Sequence, residues 1–183
     1  NYRLDGVLGY TSTTGEILWK GVRPGSDGSN FTSDGLWYMD AMPPAQRAAM
    51  EAMPVAAQDR YFRDAYFDQL RQSPGLVLAM YVRKLQGFFW FRAQVGNDYS
   101  GAMRRLLPAY KAVYGIWLLG ALASLAVFRA RVWPVWLPIA LLGAAQAWFY
   151  VETRHRVVIE PFLLFLMLCV TAAALARHTV AEG

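Results

Sequence analysis

The cluster best suited to chemistry is Arg154-His155-Arg156, followed closely by Glu160-Pro161. Two guanidinium groups present planar, paired donors that match phosphate oxygens. Proline is tolerated only in the first turn of a helix, so Pro161 predicts a helix that starts near Ile159. A helix N-terminus adds a modest attraction for an anion, which Glu160 partly offsets. The chemistry this pattern serves is the holding of a negatively charged group. The alternative is that Arg154 and Arg156 extend to ordinary lipid headgroups.

Long apolar runs must position that cluster. Ala112 to Phe128, Val132 to Val151 and Val157 to Ala176 follow one another, flanked by Lys111, Arg129, Arg131, Glu152, Arg156 and Arg177. Each approaches the ~20 residues that cross a hydrocarbon core of ~30 Å. Charges are absent inside the first two runs, and Glu160 lies near the start of the third. Aromatic residues mark the ends, among them Tyr110, Tyr114, Trp133, Trp136, Trp148 and Tyr150, as at a membrane–water boundary. The expected class is an all-α membrane protein with about three transmembrane helices over residues 110–183. The purely basic loop Arg129-Ala130-Arg131 places that turn, and the C-terminus two spans later, in the cytoplasm. Residues 152–156 and residues 1–74 then lie on the outer side, where two arginines and a histidine run against the positive-inside bias.

Residues 75–109 form an intermediate region. Leu76 to Val82 is apolar, Arg83-Lys84 interrupts it, and Phe88 to Phe91 is aromatic. Two adjacent cations at a bilayer centre cost several kcal/mol. An interfacial or re-entrant helix is therefore expected, with a true span as the alternative. A polar connection follows over residues 92–109.

The outer region, residues 1–74, is small and mixed, irregular first and helical later. Gly6, Gly9, Gly15, Gly21, Gly25, Gly28, Gly35 and Pro24 punctuate residues 1–43. Asn30-Phe31-Thr32 fits a glycosylation acceptor, a triplet also common by chance. Pro43-Pro44 opens a helix, Pro54 interrupts it, and Ser73-Pro74-Gly75 ends a second piece. In that piece Tyr61, Phe62, Ala65, Tyr66, Gln69 and Leu70 form one stripe, with Asp59, Arg63, Asp64, Asp68 and Arg71 off it. Asp34, Asp40 and Asp59 stand in no pattern that marks a general base, so no catalytic residue is assigned. Cys169 is alone, which excludes a disulfide or a cysteine metal site within the chain. The net charge of +5 comes from cations at the ends of apolar runs rather than from a basic face with interleaved aromatics, which argues against nucleic acid. A polar region on the far side of a membrane needs something upstream to export it, so the chain is expected to be the C-terminal part of a longer polypeptide.

Arg154-His155-Arg156-Val157-Val158-Ile159-Glu160-Pro161 resembles the R-Y-R-x-P-x-x-P motif that opens a late transmembrane helix in GT-C superfamily membrane glycosyltransferases. The similarity is to the protein O-mannosyltransferase and aminoarabinose-transferase-like group, of the dolichyl-phosphate-mannose-protein mannosyltransferase type. Leu18-Trp19-Lys20-Gly21, with Gly25 and Gly28, resembles the outer-loop pattern L-W-x-G-N-x-x-x-x-x-G of bacterial members. Asp59, Ala65 and Pro74, then Lys84 with Phe89-Trp90, are similar to two further elements in the same order. The departures are Val22 for Asn, His155 for Tyr and Val158 for the first Pro.

The resemblance implies a transferase that moves a sugar from a polyprenyl-phosphate donor to an acceptor on the outer face of a bacterial inner membrane. The acidic catalytic loop would lie upstream, in the earlier part of the same polypeptide. A departing lipid phosphate gathers negative charge, and fixed cations stabilise it most in the transition state. Arg154 and Arg156 are the candidates for that role, with Lys84 and Arg83 behind them; the latter two also read as anchors of an interfacial helix. His155 reads either as an interfacial histidine or as a proton shuttle. Trp19, Lys20 and Gly21 would belong to an outer-loop cleft, or Trp19 to local packing. The implied partners are membrane lipid and the lipid-linked sugar, with no cofactor in this chain and the need for a divalent metal left open. The competing class is a non-enzymatic membrane assembly module with an extracytoplasmic domain.

Overall fold

Prolines set most of the helix boundaries. In the computed structural model, which describes residues 13–91, 101–149, 151 and 153–181, α1 spans Thr14–Lys20, α2 Pro44–Glu51, α3 Val55–Gln72 and α4 Pro74–Phe89. Three more helices follow: α5 over Gly101–Phe128, α6 over Trp133–Trp148 and α7 over Glu160–Ala181. Pro44 and Pro74 occupy first-turn positions, where a missing N–H costs nothing. Pro54 sits just outside α3, as the sequence predicts. Short 3-10 turns over Arg129–Val132 and Thr153–Val158 join the later helices. No strand occurs among the described residues; the β content is two isolated bridges, Ser26 with Thr32 and Phe31 with Trp37.

The chain divides into two units. The first comprises Asn1–Asn97 with Ala144–Thr153, the second Asp98–Gly143 with Arg154–Gly183. In the first unit α1 packs directly on α3. Gly15 makes this possible, because a Cβ there would meet the Asp59 carbonyl and lie 2.8 Å from the Arg63 nitrogen. Asp59 is itself buried and accepts a hydrogen bond from the Gly15 N–H at 2.6 Å, satisfying a free donor in the first turn of α1. The sequence reading placed Asp59 off the buried stripe of α3; it lies on it, with Phe62 and Tyr66. Leu18, Val22, Tyr66 and Val77 form one core cluster, and Tyr38, Met42, Met50 and Phe62 another; Trp19 packs against both.

The glycine-rich stretch after α1 is more ordered than its composition predicts. Arg23 is buried and donates to the Lys20 carbonyl at 2.6 Å and to Ser26 Oγ at 3.2 Å. Asp27 Oδ1 accepts from the Ser29 N–H at 2.7 Å, closing the next turn. Gly25 and Gly28 take φ of 74° and 91°, a region that a side chain would disfavour.

The second unit has a different logic. Tyr114, Ala121 and Ser124 share one buried stripe of α5, which packs along α7, where Leu163 and Leu166 are buried. Gly120 permits a close approach, since a Cβ there would lie 2.7 Å from Met167 Cβ. The outward faces are apolar: Ile116, Leu119, Phe165 and Leu175 are each more than half exposed. Two helical segments, Arg104–Trp148 and Glu160–Arg177, are long and apolar enough to cross a bilayer. The first joins the first two apolar runs of the sequence through the turn at Arg129, whose φ is 50°. Helix α5 also begins earlier than expected, at Gly101, and takes Pro108 into its interior, where a polar connection is predicted.

Candidate functional site

Helix α4 gives its two adjacent cations opposite fates. Val77, Met80, Lys84 and Phe88 recur on the face turned inward, while Arg83 is exposed. Lys84 retains 1 % of its accessible surface. Its ammonium donates to the Phe149 carbonyl at 2.6 Å and to the Trp148 carbonyl at 3.4 Å. These acceptors belong to the C-terminal end of α6, where backbone carbonyls lack helical partners and the helix dipole favours a cation. No described carboxylate pairs with Lys84. Burial lowers its pKa to about 8, so it stays mostly protonated at neutral pH.

Gly21 meets the same point. A Cβ at Gly21 would lie 2.8 Å from Lys84 Nζ and would collide with the Phe149 carbonyl. Two residues far apart in sequence, each singled out by type, therefore converge. Beside them opens a cleft of about 260 Å³, lined by Val22, Leu70, Val77, Leu78 and Trp148 with Lys84. Tyr81, also on its wall, donates to the Ala144 carbonyl at 3.1 Å and sets its ring edge-on to Trp148. The cleft is an apolar slot with one buried positive charge. It suits an amphiphile with an anionic end.

The other residues of the predicted outer-loop cleft are engaged in packing. Lys20 pairs with Glu16 at 2.6 Å and lies 4.4 Å from the centre of the Tyr38 ring. Tyr38 hydrogen-bonds Glu16, and burial raises its pKa above the usual phenol value. Trp19 packs its ring 5.1 Å from that of Phe62. Arg23, which the sequence reading passed over, is the buried cation of this loop; burial lowers its pKa, against the Asp27 carboxylate. A lone arginine among glycines and serines is the only sequence signal it carries.

In the second unit Arg156 keeps 1 % of its surface. Its guanidinium lies 4.7 Å from the Tyr114 ring centre and 5.8 Å from that of Tyr110. Nε stands 3.8 Å from a Glu160 oxygen, and Tyr110 hydrogen-bonds the same carboxylate. This arrangement ties the turn before α7 to α5. An incoming phosphate at Arg156 would have to share the cation with Glu160. His155 is half-buried; the side chain of Arg154 lies outside the described residues.

Asn30 of the glycosylation triplet is buried, which removes it as an acceptor in the folded chain. Asp40 pairs with Arg47 at 2.7 Å, and Asp34 is exposed, its carboxyl held below the usual range by a hydrogen bond from Thr32. Among the described residues, no group of three His, Cys, Asp or Glu side chains could hold a metal ion. In comparisons with family models, curated proteins and solved structures, nothing matches the chain.

Proposed function

We propose that this chain is the late, membrane-embedded part of a glycosyltransferase that uses a polyprenyl-phosphate-linked sugar, and that Lys84 holds the donor's phosphate. The observation that carries the reading is a buried ammonium at the wall of an apolar cleft, with no carboxylate partner among the described residues. A cation desolvated without a counter-charge is costly, of order several kcal/mol, and an anionic ligand would offset that cost. The cleft's apolar walls suit the first isoprene units, and the ammonium suits the phosphate that departs when the sugar is transferred. There it would stabilise charge that grows toward the transition state. In this reading the three apolar runs cross the membrane and α4 lies at its outer surface. At 16 residues, α4 is about 24 Å long, short of a full crossing. Arg156 then positions the start of α7, while the sugar-activating acid comes from another part of the polypeptide. The competing reading, a non-enzymatic assembly module, draws on the ion pairs that Lys20 and Arg156 make with their own neighbours Glu16 and Glu160.

The test compares decaprenyl phosphate with decaprenol on the purified chain in detergent, read as the shift in thermal unfolding. The phosphate is expected to stabilise the wild type and the alcohol to do much less. Lys84→Met, which keeps the volume of the stem, should erase the difference while leaving the helical circular dichroism intact. Equal shifts from both lipids, or an undiminished preference in Lys84→Met, would sink the reading.

A further inference from the structure

The opposite face of α4 carries its own stripe. Leu76, Ala79, Arg83 and Gln86 alternate by three and four residues and, with Trp90 just past the end of the helix, are all exposed. Its first two turns are apolar, widened by Val82 at 45 % exposure. Its last two are cationic, polar and aromatic. Arg83, Gln86, Gly87, Trp90 and Phe91 line a shallow groove of about 460 Å³, with Gly87 leaving the floor open. Phe91 stands edge-on to Trp90 at 5.7 Å, which supports the indole while 48 % of it remains accessible. Arg83 makes no ion pair with any described residue.

From this we infer that the outer face of α4 binds one anionic phospholipid, its phosphate on Arg83 and Gln86 and its chain along Val82, Ala79 and Leu76. The inference rests on the reading that α4 lies at the membrane surface, but it uses the face opposite Lys84. The chemistry is graded along the axis. From Arg83 back to Leu76 is about 10 Å of helix, enough for the upper part of an acyl chain. Arg83 supplies paired donors for phosphate oxygens, and Gln86 adds an uncharged donor one turn on. Trp90 sits where an indole is most at home, between headgroup and hydrocarbon. A zwitterionic lipid would bring its own cation close to Arg83, so a net negative headgroup is preferred.

The experiment is native mass spectrometry of the full chain, released from detergent holding equal amounts of phosphatidylglycerol, phosphatidylcholine and an uncharged galactolipid. The wild type is expected to retain phosphatidylglycerol over phosphatidylcholine by roughly fivefold, the scale of one interfacial cation. Arg83→Gln should bring that ratio near unity, and Arg83→Lys should restore part of it. In a Lys84→Met background, which removes the anion site of the cleft, Arg83→Gln should still abolish the remaining preference; this separates failure of the groove from failure of the donor site. Equal retention of all three lipids overturns the inference. So does preferential retention of the galactolipid, which would put a sugar in the groove, or a loss of preference in Lys84→Met but not in Arg83→Gln.

Discussion

Lys84 and Arg156 are each 1 % exposed, yet the two units accommodate them in opposite ways. Arg156 is surrounded by groups that answer its charge: two tyrosine rings and the carboxylate of Glu160. Among the described residues Lys84 has two carbonyls at the end of a helix and an apolar cleft beside it. A buried charge whose surroundings neutralise it holds its own structure together. One that lacks a counter-charge and adjoins open space is poised for something that brings the counter-charge. Burial alone would have ranked these residues together; their partners separate them into a structural cation and a candidate binding cation.

The largest expected effect breaks the structural side. Removing one member of a buried pair leaves the other uncompensated, at a cost of about 3–5 kcal/mol. Arg156→Ala should therefore lower thermal stability severely or prevent recovery of folded chain from the membrane. The second unit would bear the loss, because Glu160 and Tyr110 are left facing a void. Adding Glu160→Gln to Arg156→Met should recover much of the stability, since neither charge then remains. If Arg156→Ala alone unfolds at the wild-type temperature while losing lipid-phosphate binding, the roles of the two cations are exchanged.

The next effect tests the other cation through pH. Lys84 titrates near 8 in the folded chain and near ~10.4 unfolded. Between those values the unfolded state binds more protons than the folded one, so stability rises with pH across that window. The full span corresponds to about 3 kcal/mol, and the carbonyls of Trp148 and Phe149 would reduce it by favouring the ammonium. Thermal unfolding of wild type against Lys84→Met from pH 7 to 10.5 should show the wild type gaining stability relative to the variant. A bound phosphate should reverse the trend, because it needs the protonated amine: decaprenyl phosphate should bind more weakly above pH 8. A flat difference between the two proteins would mean that Lys84 is neither desolvated nor unpaired.

The helix architecture was largely legible in the sequence, because proline and apolar run length act locally. Pro44, Pro54, Pro74 and Pro161 lie where the helices start, and the start expected near Ile159 falls at Glu160. Less legible were the contacts that decide function. Nothing local distinguishes Arg83 from Lys84; the 100° step between neighbours on a helix, and the position of α6's last carbonyls, decide which is buried. Asp59 looked like a surface carboxylate because its partner, the Gly15 N–H, is 44 residues away. The glycine-rich loop looked irregular because its order rests on Arg23 hydrogen bonds rather than on a repeating backbone pattern. Arg154, His155 and Arg156 formed one motif by spacing, yet Arg156 turns toward tyrosines that precede it by more than forty residues.

The smallest expected effect sharpens the comparison at a residue with no charge. Gly21 has φ of −76°, so the backbone there tolerates any side chain and only space forbids one. A methyl group at that position would press on Lys84 Nζ and on the Phe149 carbonyl, both of which belong to the candidate binding site. The ammonium ends a flexible stem and can move, but the carbonyl is backbone and yields less. Overpacking of this kind costs typically about 1–3 kcal/mol. Gly21→Ala should therefore lower thermal stability modestly and displace Lys84 from its carbonyl partners. Discrimination between decaprenyl phosphate and decaprenol should fall by more than the stability loss accounts for. A variant with Gly21→Ala and Lys84→Met should show no further loss of discrimination beyond Lys84→Met alone, because both changes act on one ammonium. Additive losses would mean that Gly21 shapes the cleft without reference to Lys84.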